Sequence, residues 1–288
     1  MLASMKTGRI IISALREDRA DRDITTQVLI PAGLRARAEI VARQKGVVCG
    51  LSIAADVFRY RDKDIKFRPL FRDGDDIRPG DTLARILGRA RAILSGERVA
   101  LNFLGRLSGI STLTAAFVKQ VAGYAAEILD TRKTTPLLRE MEKYAVRCGG
   151  GVNHRPDLSR QVLIKENHIS LRPRRSLAAL IAKSKDNCPQ GTKIEVEVRT
   201  LREFRQVISA SADIIMLDNF ALADIRKAVE ILRARADTLR PAPQLEVSGG
   251  VSLSNVRSIA ACGVERISIG ALTHSAPCLD MSLGVQDK

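Results

Sequence analysis

Six short runs rich in β-forming residues fill the chain from residue 126 to 270, each followed by a loop and a helical stretch. They read AEILD (126–130), VLIK (162–165), KIEVEV (193–198), DIIML (213–217), QLEVS (244–248) and RISIG (266–270). Strands of this length alternating with helices specify parallel βα units, which fold as a barrel or as a doubly wound sheet. The ends of the runs decide between the two. Each stops in or just before polar or small residues: Arg132 and Lys133, Lys165, Glu197, Asp218, Ser248-Gly249-Gly250, and Gly270-Ala271. A barrel gathers its C-terminal strand ends at one mouth, where active sites sit, whereas an open sheet spreads several of them apart. The predicted fold class is therefore α/β, with an incomplete, six-stranded β/α barrel over residues 109–274.

Helix punctuation agrees with this period. Thr135 followed by Pro136 predicts an N-cap with proline at the first helical position, and Gly149-Gly150-Gly151 predicts the stop. Thr200 and Glu203 form a capping-box pattern. Ser252 precedes a helical stretch that stops at Gly263. Residues 1–108 read differently, as an α+β domain. RARAEIVARQKGVVCGL alternates like strands, and FRDGDDIRPGDTLARILG carries hairpin-like turns. A helix is predicted from near Ser95, with Leu101, Leu104 and Leu107 on its apolar face and Arg98, Asn102 and Arg106 on a polar stripe.

The formal charge of +15 invites a nucleic-acid reading, but the arginines are dispersed and aromatics make up only 3%. A basic solvated surface that also serves small anionic substrates is the expectation, with no nucleic-acid partner. No apolar run approaches the roughly 20 residues of a membrane span, and the N-terminus lacks a signal-peptide pattern. The five scattered cysteines include no CxxC pair, which favours a reducing cytoplasm over a disulfide framework or a zinc site.

Cations collect on the loops around one predicted helix: Arg132 and Lys133 before it, His154 and Arg155 after it. With Lys165 they supply donors suited to carboxylates and pyrophosphate, the arginines in bidentate fashion. Glycine-rich turns after the last two runs suit a phosphate, because backbone N–H groups can approach it without a Cβ in the way. Glu197 and Asp218 end neighbouring runs and could hold sugar hydroxyls, or Mg²⁺ through water. Glu195 shares the face of Glu197 but lies deeper, and its role stays open. His154 and His168 are candidate proton carriers; with His274 they lack metal-triad spacing. The constellation fits a ligand carrying both a phosphorylated sugar and a carboxylated ring. A different kind of phosphorylated-sugar site would need adjacent acids before a Thr-Gly-Gly loop. Asp75-Asp76 is the only tempting pair and sits in a turn.

The ordered segments DITT, KGVVCGL, ERVALNFLGRLSGISTLT, LDTRKTTPLLREMEKYAV, GGGVNHR, LIKENHI, EVEV, MLDNF, LEVSGGV and SIGALTHSAPCLDMSL resemble quinolinate phosphoribosyltransferase across nearly the whole chain. Arg22, Glu166 and Arg199 depart from the family pattern without removing a matched site residue. The intact LIKENH distinguishes the chain from a molybdenum-associated paralogue that shares the fold. The resemblance implies an N-terminal α/β sandwich, joined by a C-terminal tail at 275–288, and an incomplete barrel. It implies the joining of quinolinate to 5-phosphoribosyl-1-pyrophosphate, giving nicotinate mononucleotide, pyrophosphate and CO₂. By the same resemblance, Arg98, Thr131, Arg132, Lys133, His154, Arg155, Lys165, Glu197 and Asp218 bind substrate. Lys133, Lys165, Glu197 and Asp218 are its catalytic residues, and Ser248, Gly249, Gly250, Ile269, Gly270 and Ala271 its phosphate cradle. Mg²⁺ is expected to arrive with the ribosyl donor, with no direct protein ligand assigned. A homodimer or higher oligomer is expected, Arg98 reaching the neighbour's pocket.

Overall fold

The computed structural model describes residues 5–172, 176–235 and 241–286 and divides them into two compact units. One comprises residues up to 115 together with 134–150 and 271 onward; the other comprises 116–133 and 151–270. Residues 1–4 of the expected first domain and 287–288 of the expected tail lie outside the described residues. No helix among the described residues is long and apolar enough to cross a membrane.

The first unit holds β1 (Arg35–Ala42), β2 (Gly46–Val47), β3 (Lys66–Pro69), β4 (Asp76–Ile77) and β5 (Thr82–Arg89). The second holds β6 (Glu127–Leu129), β7 (Val162–Ile164), β8 (Ile194–Val198), β9 (Ile214–Asp218), β10 (Gln244–Ser248) and β11 (Arg266–Ser268). The chain closes with β12 (Met281–Gln286), which returns to the first unit and pairs antiparallel with β1.

In the first unit the order is β12-β1-β5-β3, with β2 and β4 forming a separate ribbon. Alternation along β1 buries Ala38, Ile40 and Ala42 on one face, and each large aliphatic buried this way contributes about 1.5–3 kcal/mol. The helix read from near Ser95 in fact runs Ala90–Gln120. It starts earlier because Ala90 follows β5 without a turn residue, and it continues through position 108. Ile93, Ala100, Leu104 and Leu107 form its buried stripe. At Gly109 a Cβ would run into the Pro277 carbonyl, so only glycine lets the returning tail lie against the helix backbone.

The expected Thr135 cap is displaced. The helix spans Arg139–Cys148, because Leu137 takes φ +68° and breaks the helical path after Pro136. Thr135 instead binds Glu142, its Oγ1 donating at 2.7 Å and its N–H at 3.1 Å. The glycine stop holds: Gly149 caps the helix and Gly150 has φ +84°. The Arg98–Asn102–Arg106 stripe is also corrected. Arg98 and Asn102 are exposed, but the Arg106 guanidinium turns to the buried Glu142 carboxylate at 2.8 Å and to the Thr273 and Ala276 carbonyls. Asp75 accepts the Arg72 N–H across a tight turn, which explains its place in the DGDD sequence.

In the second unit all six expected runs form one parallel sheet, ordered β6-β11-β10-β9-β8-β7. No ladder joins β6 to β7, so the barrel is incomplete. Every residue of β8 is buried, as expected for a parallel strand covered on both faces. Thr200 caps the next helix by accepting the Glu203 N–H at 3.2 Å. Glu203 reaches back to the Arg199 N–H at 2.7 Å, one residue earlier than a capping box. After β10 the helix is only Val256–Ala260; Asn255 holds the preceding turn by accepting the Ser252 N–H at 2.8 Å.

Candidate active site

Because the six strands run parallel, their C-terminal ends lie at one end of the sheet. The register places Asp218 and Ser268 on either side of Ser248, and Arg266 beside Glu246.

Asp130, immediately after β6 and fully buried, ties two loops together. Its Oδ2 accepts Asn153 Nδ2 at 2.6 Å and its Oδ1 accepts the His154 N–H at 2.9 Å, while its own N–H donates to the Val152 carbonyl. The Thr131–Lys133 loop, with Thr131 Oγ1 accepting the Lys133 N–H at 3.1 Å, is thereby anchored beside the Asn153–Arg155 loop. Arg155 is half-buried; burial and the nearby Arg132 guanidinium both press it below the usual arginine range. Two guanidiniums thus lie near each other in one partly buried place.

His154 is only 5% exposed. Its Nε2 lies 3.1 Å from Glu195 Oε2 and 3.4 Å from Glu246 Oε1, both carboxylates being fully buried. Gln161 Nε2 donates to the same Glu195 oxygen at 2.6 Å, and Arg266 Nε donates to Glu246 Oε2 at 2.7 Å. Burial works against a charged imidazole, but the two carboxylates overcome it and raise His154 to about 9. Burial raises the Glu195 carboxyl as well. Glu246 is lowered, because His154 and Arg266 outweigh its burial. His154 Nδ1 accepts the Arg155 N–H at 2.7 Å, which leaves Nε2 to face the two carboxylates.

Lys165 Nζ donates to Glu197 Oε2 at 2.7 Å. Arg199 leaves Glu197 alone: its Nη1 meets Glu166 at 2.5 Å and its Nε lies 3.7 Å from Asp218. Two of the three departures from the family pattern, Glu166 and Arg199, thus pair with each other. Asn219 donates to Asp218 Oδ2 at 3.0 Å. His168 is a helix cap, its Nδ1 accepting the Lys165 N–H at 2.9 Å. In the glycine turn, Gly249 and Gly250 take φ +87° and +62°. A Cβ at Gly249 would meet the Asn219 side chain. The Ile269 N–H is committed to the Leu129 carbonyl at 2.9 Å, so backbone donors for an anion in that stretch must come from beyond it. Arg98 stands in the first unit, exposed and without an ion-pair partner among the described residues.

Asp130, Asn153, Gln161, Glu246 and Arg266 escaped sequence reasoning. The signal for Glu246 was present: a carboxylate flanked by Leu245 and Val247 inside a predicted strand, two residues before Ser248 and so on the same face.

The family model for the quinolinate phosphoribosyl transferase C-terminal domain matches residues 110–284, and that for the N-terminal domain matches 23–108. The chain belongs to the quinolinate phosphoribosyltransferase family. It is 40% identical over 279 residues to a probable carboxylating nicotinate-nucleotide pyrophosphorylase of Methanocaldococcus jannaschii, covering 96% of each chain. A Bacillus subtilis protein of the same description is 39% identical over 269 residues, with 93% of this chain and 90% of that one covered. Among solved structures, the nicotinate-nucleotide pyrophosphorylase of Francisella tularensis superposes with a TM-score of 0.90 at 40% identity, covering 98% of this chain and 96% of the other. The quinolinate phosphoribosyltransferase fold, a small sheet domain and a parallel six-stranded sheet, is the one described above.

Proposed function

We propose that this quinolinate phosphoribosyltransferase performs the carboxylating reaction of its relatives at the strand ends of the second unit. Quinolinate and 5-phosphoribosyl-1-pyrophosphate become nicotinate mononucleotide, pyrophosphate and CO₂, a step of de novo NAD biosynthesis. The observation that carries the assignment is the paired Arg132 and Arg155, whose mutual repulsion a dicarboxylate relieves. Lys133 and Lys165 face the anionic groups, and Glu197 and Asp218 the ribose.

Breaking the C1′–pyrophosphate bond creates an oxocarbenium-like ribose and a highly charged leaving group. Fixed cations that stabilise the developing charge supply the largest catalytic term. The pyridine nitrogen, held in line by its clamped carboxylates, attacks C1′. The ring nitrogen is then cationic and stabilises the carbanion formed as the adjacent carboxylate leaves as CO₂; a proton takes its place. No protein nucleophile is needed. Glu197 and Asp218 each engage one carboxylate oxygen with Lys165 and Asn219 respectively, and each has a second oxygen of the hard type that suits Mg²⁺ through water. They fit. When bound, Mg²⁺ neutralises charge on the pyrophosphate.

Five free cysteines support a cytoplasmic location. We assign a homodimer, or an assembly built on one, in which the exposed Arg98 serves the partner's pocket. The test is turnover of quinolinate and the ribosyl donor with Mg²⁺, following nicotinate mononucleotide, with nicotinate run in parallel. Quinolinate is expected to be strongly preferred; equal use of the two acids would remove the dicarboxylate clamp.

A further inference from the structure

We infer that Gln161 and His154 are positioning residues that aim Arg155, seated on a buried base of Glu195, Glu246 and Arg266. The inference deepens the clamp reading and rests on it. Four contacts close a circuit. Arg155 Nη1 donates to the Gln161 carbonyl at 2.9 Å, and Gln161 Nε2 donates to Glu195 Oε2 at 2.6 Å. The same Oε2 lies 3.1 Å from His154 Nε2, and His154 Nδ1 accepts the Arg155 backbone N–H at 2.7 Å. Arg155 is therefore held at its guanidinium tip and at its own backbone by one ring of contacts. An arginine fixed in this way offers its remaining donors to a carboxylate already oriented, and preorganisation of that kind tightens binding.

The arrangement also changes what His154 can do. Its ring is buried, and its two nitrogens face a backbone N–H and two carboxylates. It acts on quinolinate through Arg155 and carries no proton to or from the substrate. The His154–Glu195–Glu246 cluster has the composition of a metal site, with its ligand atoms within 4.8 Å of one another. In this structure two of its carboxylate oxygens already have partners: Gln161 donates to Glu195 Oε2, and the Arg266 guanidinium supplies a cation at Glu246 Oε2. Glu246 and Arg266 sit opposite each other in the register of β10 and β11, so the base is built into the sheet and does not depend on a loop.

The experiment compares Gln161→Met, Glu195→Gln and Arg155→Ala by steady-state kinetics in both substrates, with thermal melts to verify folding. Gln161→Met removes the side-chain donor and leaves the backbone carbonyl that receives Arg155. Both positioning variants are expected to raise the quinolinate KM about tenfold or more, with kcat and the ribosyl-donor KM within about twofold. A residue that serves stability alone would lower the melting temperature without splitting the two KM values. If Arg155→Ala raises the quinolinate KM while folded Gln161→Met leaves it unchanged, the positioning inference falls and the clamp survives. If Arg155→Ala leaves it unchanged, both fall. Should Glu195→Gln fail to fold, Gln161→Met decides alone. His154→Asn retains an acceptor for the Arg155 N–H and is expected to keep the wild-type pH profile of kcat/KM and a lower quinolinate KM than His154→Ala. Loss of one limb of that profile in His154→Asn would make the histidine an acid–base group and overturn its assignment here.

Discussion

Lys165 and Glu197 form a close ion pair at the strand ends, at 2.7 Å, with the lysine exposed and the glutamate buried. The pair divides the labour of the site: the carboxylate holds the amine in place, and the amine remains accessible to an anion. Lys165→Ala is expected to fold and to lose about 10²-fold or more in kcat/KM, in line with a lost electrostatic donor; wild-type kinetics would remove it from the site. In the first unit, Asp62 illustrates charge used for stability. Burial opposes its ionisation, but the Asp64 N–H and the forked Arg89 guanidinium, at 2.8 and 3.1 Å, outweigh it and hold the carboxyl below its usual value. A depressed carboxylate stabilises the fold above its unfolded pKa, about 3.9, and that contribution disappears as pH falls through the lower folded value. Asp62→Asn should therefore lower Tm by roughly 2–4 °C at pH 7. In melts acidic enough to protonate the folded carboxylate the difference from wild type should close; a gap that persists there would mean the loss is one of packing.

At the scale of elements, the turn after β10 is where backbone and function are hardest to separate. Gly249→Ala would place an L-residue at φ +87° and drive its Cβ against Asn219, which also donates to Asp218. The expected result is a ribosyl-donor KM raised about tenfold, with the quinolinate KM changed much less. An equal rise in both would mean that the turn supports the whole mouth and not a phosphate alone. The helix that was read from Ser95 makes the complementary point. Its apolar stripe was legible through Leu101, Leu104 and Leu107, yet its start at Ala90 was not, because β5 passes into it with no capping residue to mark the change.

For the whole molecule the open quantity is how many copies build one site. Arg98→Ala and Lys165→Ala chains, each inactive alone, are expected to regain activity when mixed, since one of the two sites in a heterodimer would keep both residues. Subunit exchange must be verified in the same sample, for example by mass. Exchange without recovered activity would show that Arg98 works within its own chain or not at all.

Much of this protein could be read before any coordinates. The recurrence of short β-rich runs between helical stretches determined the six parallel strands, because parallel neighbours need a long crossover between them, which a helix supplies. The punctuation at strand ends determined where cations, acids and glycines would gather, since parallel strands share one C-terminal end. Residues 97–114 and 129–155 carried enough family-specific spacing to name the chemistry. Only the tertiary structure decided who pairs with whom. Arg106 left its expected polar stripe because Glu142, distant in sequence, is buried and needs a cation. Arg199 meets Glu166 and lies near Asp218, and Glu197 pairs with Lys165 instead. Gln161 and Arg266 had no motif to announce them, and the carboxylate signal at Glu246 did not name its partners. Their roles arise where strands far apart in the chain bring ionic groups into one dry interior, and there each charge must find its partner in three dimensions.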